Sequence, residues 1–168
     1  AFEADGDAIF VVGETTGWLG CSIYQRDMAG GSAGAPPPVD LNTERQNGDF
    51  VRASIAAHQI NACHDVSDGG LAVALAEMAI AGNVGADIDY KPAIPVHAWA
   101  FGEDQARYVV TTADPASFEA LAAAANVAVT RIGRVGGAAL TLPGAEPISV
   151  ESLREAHTRW LPEYMASR

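Results

Sequence analysis

The stretch His64-Asp65-Val66-Ser67-Asp68-Gly69-Gly70-Leu71 carries the densest chemistry in this sequence. A β-rich run leads into it and an Ala-rich run leaves it, so strand, turn and helix meet there. The first helical amides then point outward at the C-terminal end of a strand. Unpaired N–H groups and the helix dipole both favour an anion at such a point, and Gly69 and Gly70 let a phosphate approach the backbone closely. Asp65 and Asp68 would repel a bare phosphate. The combination works if Mg2+ sits between carboxylate and phosphate, as hard-oxygen chemistry allows. The alternative is local: Ser67 or Asp68 is only the N-cap of the helix, and the glycines are only the turn.

A second cluster is Phe101-Gly102-Glu103-Asp104-Gln105-Ala106-Arg107-Tyr108. Glu103, Asp104 and Gln105 stand at the mouth of a strand, where they could bind substrate hydroxyls or a metal. Alternatively they form a solvated strand start, with Arg107 paired to a neighbouring acid. A third passage, Gly13-Glu14-Thr15 through Gly20, is Gly-rich but lacks the spacing and the lysine of a P-loop. His58, His64, His97 and His157 fall on separate elements and suggest no metal centre. No nucleophile–base pairing is visible, so no catalytic residue is assigned.

The elements that must position these residues follow from periodicity and punctuation. Runs at 8–13, 60–66, 84–90, 106–112, 127–135 and 138–142 read as strands. The last two look paired around Gly136-Gly137, and 84–90 alternates apolar with acidic residues, giving it one wet face. Helices are expected from a Thr15 or Thr16 cap through Tyr24, from Asp40 to about His58, from Leu71 to Ala81, from Asp114-Pro115 to Ala125, and from Ser149 to Met165. The last would have Leu153, Ala156, Trp160 and Leu161 as its apolar side. Residues 30–38 form a Gly- and Pro-rich loop, and a second Pro-containing loop joins Tyr90 to Ala106. The order predicts a single α/β domain of the α+β kind over residues 1–168, a mixed β-sheet covered by helices.

The formal charge is −11 and the 10 basic residues are scattered, which argues against nucleic acid. The two cysteines are far apart and form no metal or disulfide framework. A reduced, cytoplasmic setting is expected, and no run of about eighteen apolar residues suggests a membrane span. The sequence starts at Ala1 and turns strand-like almost at once, so a piece of a longer protein is expected.

Taken together, Gly13-Glu14-Thr15 with Gly17-Trp18-Leu19-Gly20, Gly34-Ala35-Pro36-Pro37-Pro38-Val39-Asp40, Asn47-Gly48-Asp49-Phe50-Val51, the His64–Leu71 turn and Phe101-Gly102-Glu103-Asp104-Gln105 resemble the final domain of the PurL family, the phosphoribosylformylglycinamidine synthases. The motifs occur in the family's order across nearly the whole chain. The turn alone is shared with other members of the AIR synthetase-related superfamily, thiamine monophosphate kinase among them; residues 34–38 and 101–105 single out PurL.

The resemblance implies an AIR synthetase C-terminal-domain fold and a share in an ATP-dependent C–N ligase of purine biosynthesis. That enzyme converts formylglycinamide ribonucleotide to its amidine with ATP, Mg2+ and glutamine-derived ammonia. It implies Asp65, Ser67, Asp68, Gly69, Gly70, Glu103, Asp104 and Gln105 as nucleotide- or substrate-binding positions, with Asp65 toward Mg2+. It places this copy in the second half of the enzyme, where the equivalent site is auxiliary, and puts the catalytic residues in domains this chain lacks. The implied partners are the remaining domains, a glutaminase subunit, a small bridging subunit and the phosphorylated nucleotide substrate.

Overall fold

The computed structural model describes residues 1–31 and 33–167. In chain order the elements are β1 (Ala8–Val12), α1 (Ile23–Met28), α2 (Leu41–Ala56), β2 (Ala62–Asp65), α3 (Gly70–Gly82), β3 (Ala86–Ile88), α4 (Val96–Phe101), β4 (Tyr108–Thr112), α5 (Pro115–Ala124), β5 (Val129–Val135), β6 (Ala139–Thr141), β7 (Ile148–Ser149) and α6 (Val150–Ala166). The strands form one sheet in the order β2-β4-β1-β5-β3-β6-β7. Only β3 and β6 run parallel; the other neighbours are antiparallel.

Strand alternation splits the core in two. Ile9 and Val11 of β1 face α3 and α4, joining Leu71, Leu75, Met78 and Trp99. Ala8, Phe10 and Val12 face the other way, onto Phe50 and Val51 of α2 and Phe118 and Ala122 of α5. Helices therefore cover both faces of a mixed sheet, as the patterning predicts.

All six expected strands form, each within the predicted range. Asp40 caps α2 by accepting from Asn42 N at 2.8 Å, and Asp114 caps α5 with Pro115 in its first turn. Asn83 closes α3 in a left-handed conformation. The expected loop at 30–38 holds no helix or strand among its described residues; Ser32 lies outside them.

Three expectations fail. No helix starts at Thr15 or Thr16: Gly17 is left-handed at φ +78°, and a Cβ there would meet Ile94 and Ala98 within 3 Å. The first helix begins instead at Ile23, capped by Ser22. Residues 91–105 are not all loop. Pro95 opens α4, which buries Ala98, Trp99 and Ala100, a helix too short for its periodicity to show. Finally, β5 and β6 are not a hairpin, because β3 lies between them. The Gly136-Gly137 turn wraps the start of β3: Gly136 N donates to Gly85 O and Gly85 N to Gly137 O, both at 2.8 Å.

Candidate functional site

The two chemistry-bearing clusters meet. β2 ends at Asp65, Val66 N donates to Arg107 O at 3.0 Å, and the chain turns through Ser67 and Asp68 into α3. Gly69 and Gly70 are both left-handed, at φ +82° and +69°. A Cβ on Gly70 would lie 2.6 Å from Gly102 O and 2.7 Å from Phe101 C. Gly70 lets the start of α3 pack against the end of α4, while a Cβ on Gly69 would meet Val73 of α3 itself.

The α3 N-terminus already holds an anion, and it belongs to the protein. Glu103 Oε1 accepts from Gly69 N at 2.8 Å and from Ile23 N, at the first turn of α1, at 2.9 Å. The turn itself supplies no side-chain cap, so neither Ser67 nor Asp68 is the N-cap that the sequence suggests. Both residues are exposed.

Asp104 is also turned inward, at 7% exposure. It accepts from Gly17 N at 3.0 Å, Trp18 N at 3.3 Å and the Thr16 hydroxyl. Behind it the buried Arg107 guanidinium donates to Gly102 O at 2.6 Å and Thr15 Oγ1 at 3.2 Å, and stands 3.7 Å from Asp104 Oδ2. Burial lowers the Arg107 pKa from its ordinary value, and the Asp104 charge opposes that shift. The Gly13–Gly20 passage and the Phe101–Arg107 segment are thus one clasp, and the pairing of Arg107 with a neighbouring acid is real.

Three expected residues are left facing solvent beside one another. Asp65, Ser67 and Gln105 line a cleft of about 200 Å³ together with Glu44, Ala106 and Tyr108. Glu44 and Tyr108 also border a larger cavity of about 650 Å³ along α2. At the hub is Ala106, left-handed at φ +58°. Glu44 Oε1 accepts from its N–H at 2.8 Å, and Asn47 Nδ2 donates to its carbonyl at 2.9 Å. A non-glycine residue in this conformation is strained by about 1–2 kcal/mol, and such strain persists where surrounding contacts hold it, often at functional sites. Tyr108 has its phenol pKa raised, by burial first and then by nearby Glu44.

Glu44, Asn47 and Tyr108 have no assigned role in the sequence reading. The one local signal is Asn47, a polar residue on the side of α2 that buries Phe50, Val51 and Ser54. His64 lies outside the cleft, against Ala1, Glu77, Ile80 and His157, with Nδ1 2.6 Å from Asp65 O and Nε2 3.3 Å from Glu77.

Among the described residues no group of three or more His, Cys, Asp or Glu side chains could enclose a metal. The cleft does offer hard oxygens from Asp65, Glu44, Ser67 and Gln105. That donor set fits Mg2+ held by one or two carboxylates and completed by phosphate and water, and does not fit an all-protein cage.

The family described as AIR synthase related protein, C-terminal domain, matches residues 4–142. The chain belongs to that family. Within it, the chain is 56% identical to the phosphoribosylformylglycinamidine synthase subunit PurL of Parvibaculum lavamentivorans, over 99% of this chain and 23% of that one. It is 54% identical to the PurL subunit of Methylocella silvestris, over 99% of this chain and 23% of that one. It therefore spans less than a quarter of the length of these relatives. Among solved structures, T. maritima PurL complexed with FGAR shares the fold with a TM-score of 0.73 at 19% identity, covering 90% of this chain and 28% of that chain. Thiamine-monophosphate kinase from Stenotrophomonas maltophilia follows with a TM-score of 0.57 at 23% identity, over 84% of this chain and 51% of that chain. The seven-stranded sheet is thus the AIR synthetase C-terminal fold. No helix among the described residues is long and apolar enough to cross a membrane.

Proposed function

We propose that this chain is the C-terminal domain of a phosphoribosylformylglycinamidine synthase PurL subunit, an ATP-dependent ligase that makes the amidine of formylglycinamide ribonucleotide. The observation that carries the reading is 56% identity to a PurL subunit along 99% of the chain. Solved PurL structures that share the fold are complexes with ATP, AMPPCP and ADP, and one is a PurLQS assembly. The partners proposed here are accordingly the other domains of the polypeptide, a glutaminase subunit, a small bridging subunit and the phosphorylated nucleotide, in the cytoplasm.

The residues proposed to meet ligand are Asp65, Ser67 and Gln105, with Glu44 beside them. Asp68 is exposed at the same turn. Glu103, Asp104, Gly69 and Gly70 act through position, holding the turn and the Gln105 segment in register. The cleft of about 200 Å³ suits a phosphate-sized group, so the rest of a nucleotide would lie against another domain. Bound Mg2+ would neutralise phosphate charge. Asp65 and Glu44 would hold it, while Ser67 and Gln105 would orient phosphate oxygens.

A second reading, that the turn serves folding alone, has its own support, because Glu103 fills the helix N-terminus that a ligand anion would otherwise occupy. Asp65 separates the two readings. Its side chain is 67% exposed, so Asp65→Asn should leave the fold intact. Calorimetric titration of ADP–Mg2+ into the full PurL polypeptide should show affinity falling about tenfold or more on this substitution. Equal affinity and stoichiometry in wild type and variant would assign the turn to folding. The 168-residue chain alone should give only background amidine formation from formylglycinamide ribonucleotide, ATP, Mg2+ and ammonia. Its single lysine, Lys91, is far in sequence from the turn. Turnover well above background would exclude the role of a partial domain.

A further inference from the structure

Helix α6 is seated at one end only. Val150 is buried at 4% exposure, Leu153 packs on the α3 side of the core, and Arg154 donates to Ile80 O at 3.2 Å and Asn83 Oδ1 at 2.7 Å. From His157 to Ser167 every residue is exposed. At 1.5 Å per residue this overhang is roughly 15 Å long.

The overhang continues the seated face. Leu153, His157 and Leu161 recur at four-residue spacing, with Trp160 and Tyr164 next to them, so all lie on one side of the helix. Trp160 is 63%, Leu161 57% and Met165 65% exposed, and the Trp160 and Tyr164 rings stack at 5.2 Å. Toward the body of the domain the face runs into a groove of about 290 Å³, lined chiefly by apolar residues including Ile80, Phe101, Leu142, Ile148 and Leu153. Contiguous apolar surface of this kind marks an interaction site on a soluble domain.

We propose that the α6 overhang and this groove are the seat of a neighbouring domain of the same, longer polypeptide, which covers them with an apolar surface of its own. The inference rests on the PurL reading above. Two facts select this occupant. The family match ends at residue 142, before α6, whereas the PurL relatives align over 99% of the chain and so continue across the helix. Those relatives are also more than four times longer than the aligned part, since it makes up 23% of their length. The helix therefore accompanies the long polypeptide, and its uncovered face is what a separate body of that polypeptide would bury.

The test is maleimide labelling of Leu161→Cys, quantified at that site by peptide mass mapping and normalised to the rate in urea. Leu161 is exposed, so the variant should fold. In the 168-residue chain Cys at 161 should label at close to the unfolded rate. In the full PurL polypeptide it should label at least tenfold more slowly. Equal rates in the two proteins would overturn the proposal, as would protection in the short chain that disappears on dilution, which would show a second copy on the face. Amidine formation by the same long variant is read separately. An active variant with an accessible Cys at 161 sinks the docking proposal alone, and a polypeptide inactive in wild type and variant alike, whose variant has a protected Cys at 161, sinks the PurL reading alone.

Discussion

One carboxylate oxygen, Oε1 of Glu103, closes the N-terminal ends of α1 and α3 together by accepting from Ile23 N and Gly69 N. A charged acceptor shared by two helix N-termini gains from both dipoles and from two charge-assisted hydrogen bonds. Glu103→Ala should therefore lower stability by about 2–3 kcal/mol, and Glu103→Gln by about 1–2, since an amide oxygen still accepts without the charge. Asp68→Ala should change it by no more than about 0.5 kcal/mol, because no backbone amide of α3 depends on that side chain. Urea denaturation of the three variants gives the order directly. A larger loss for Asp68→Ala than for Glu103→Gln would mean that Asp68 caps α3 after all.

At the scale of elements, β3 is a three-residue strand that enters the sheet between β5 and β6. Glycines make the approach possible. A Cβ on Gly133 of β5 would lie 2.1 Å from Asp87 O, and one on Gly85, just before β3, 2.1 Å from Ala139 O. Both clashes are with backbone, which cannot swing aside as a side chain can. Gly137 differs, with φ +72° and open space around it. Gly133→Ala should lower stability by about 3 kcal/mol through displaced strands, whereas Gly137→Ala should cost about 1–2 kcal/mol from its left-handed backbone alone. Denaturation midpoints, with amide exchange at Asp87 and Ile88, distinguish the cases. Comparable losses and unchanged exchange in both variants would rule out this account of β3.

Across the whole molecule, stability resides in the two cores against the sheet and not in the C-terminal helix beyond its first turns. Ending the chain after Thr158 keeps Val150, Leu153 and the Arg154 bonds to Ile80 and Asn83. That truncation should change the unfolding free energy by less than about 1 kcal/mol, while Leu153→Ala in the intact chain should cost about 2. Guanidinium titrations of both, read by circular dichroism at equal protein concentration, decide it. A truncated chain weaker by several kcal/mol would show that the overhang packs on its own domain in solution.

The strands and the caps at Asp40 and Asp114 were legible because each depends on residues within a few positions of one another. Alternation is local, and the strands obey it. The order of the sheet was not legible. Insertion of β3 depends on which strands approach within a Cβ radius, and adjacent runs such as β5 and β6 read as a hairpin until a third strand claims the edge between them. The candidate site divides the same way. Its residue types stand in the sequence at 64–71 and 101–108, but which acids face inward was decided by contacts 34 to 88 residues apart, Glu103 with Gly69 and Asp104 with Thr16. Glu44 and Asn47 joined the site only because α2 packs beside Ala106. A carboxylate's role depends on the partners it finds, and those are brought to it by the tertiary fold.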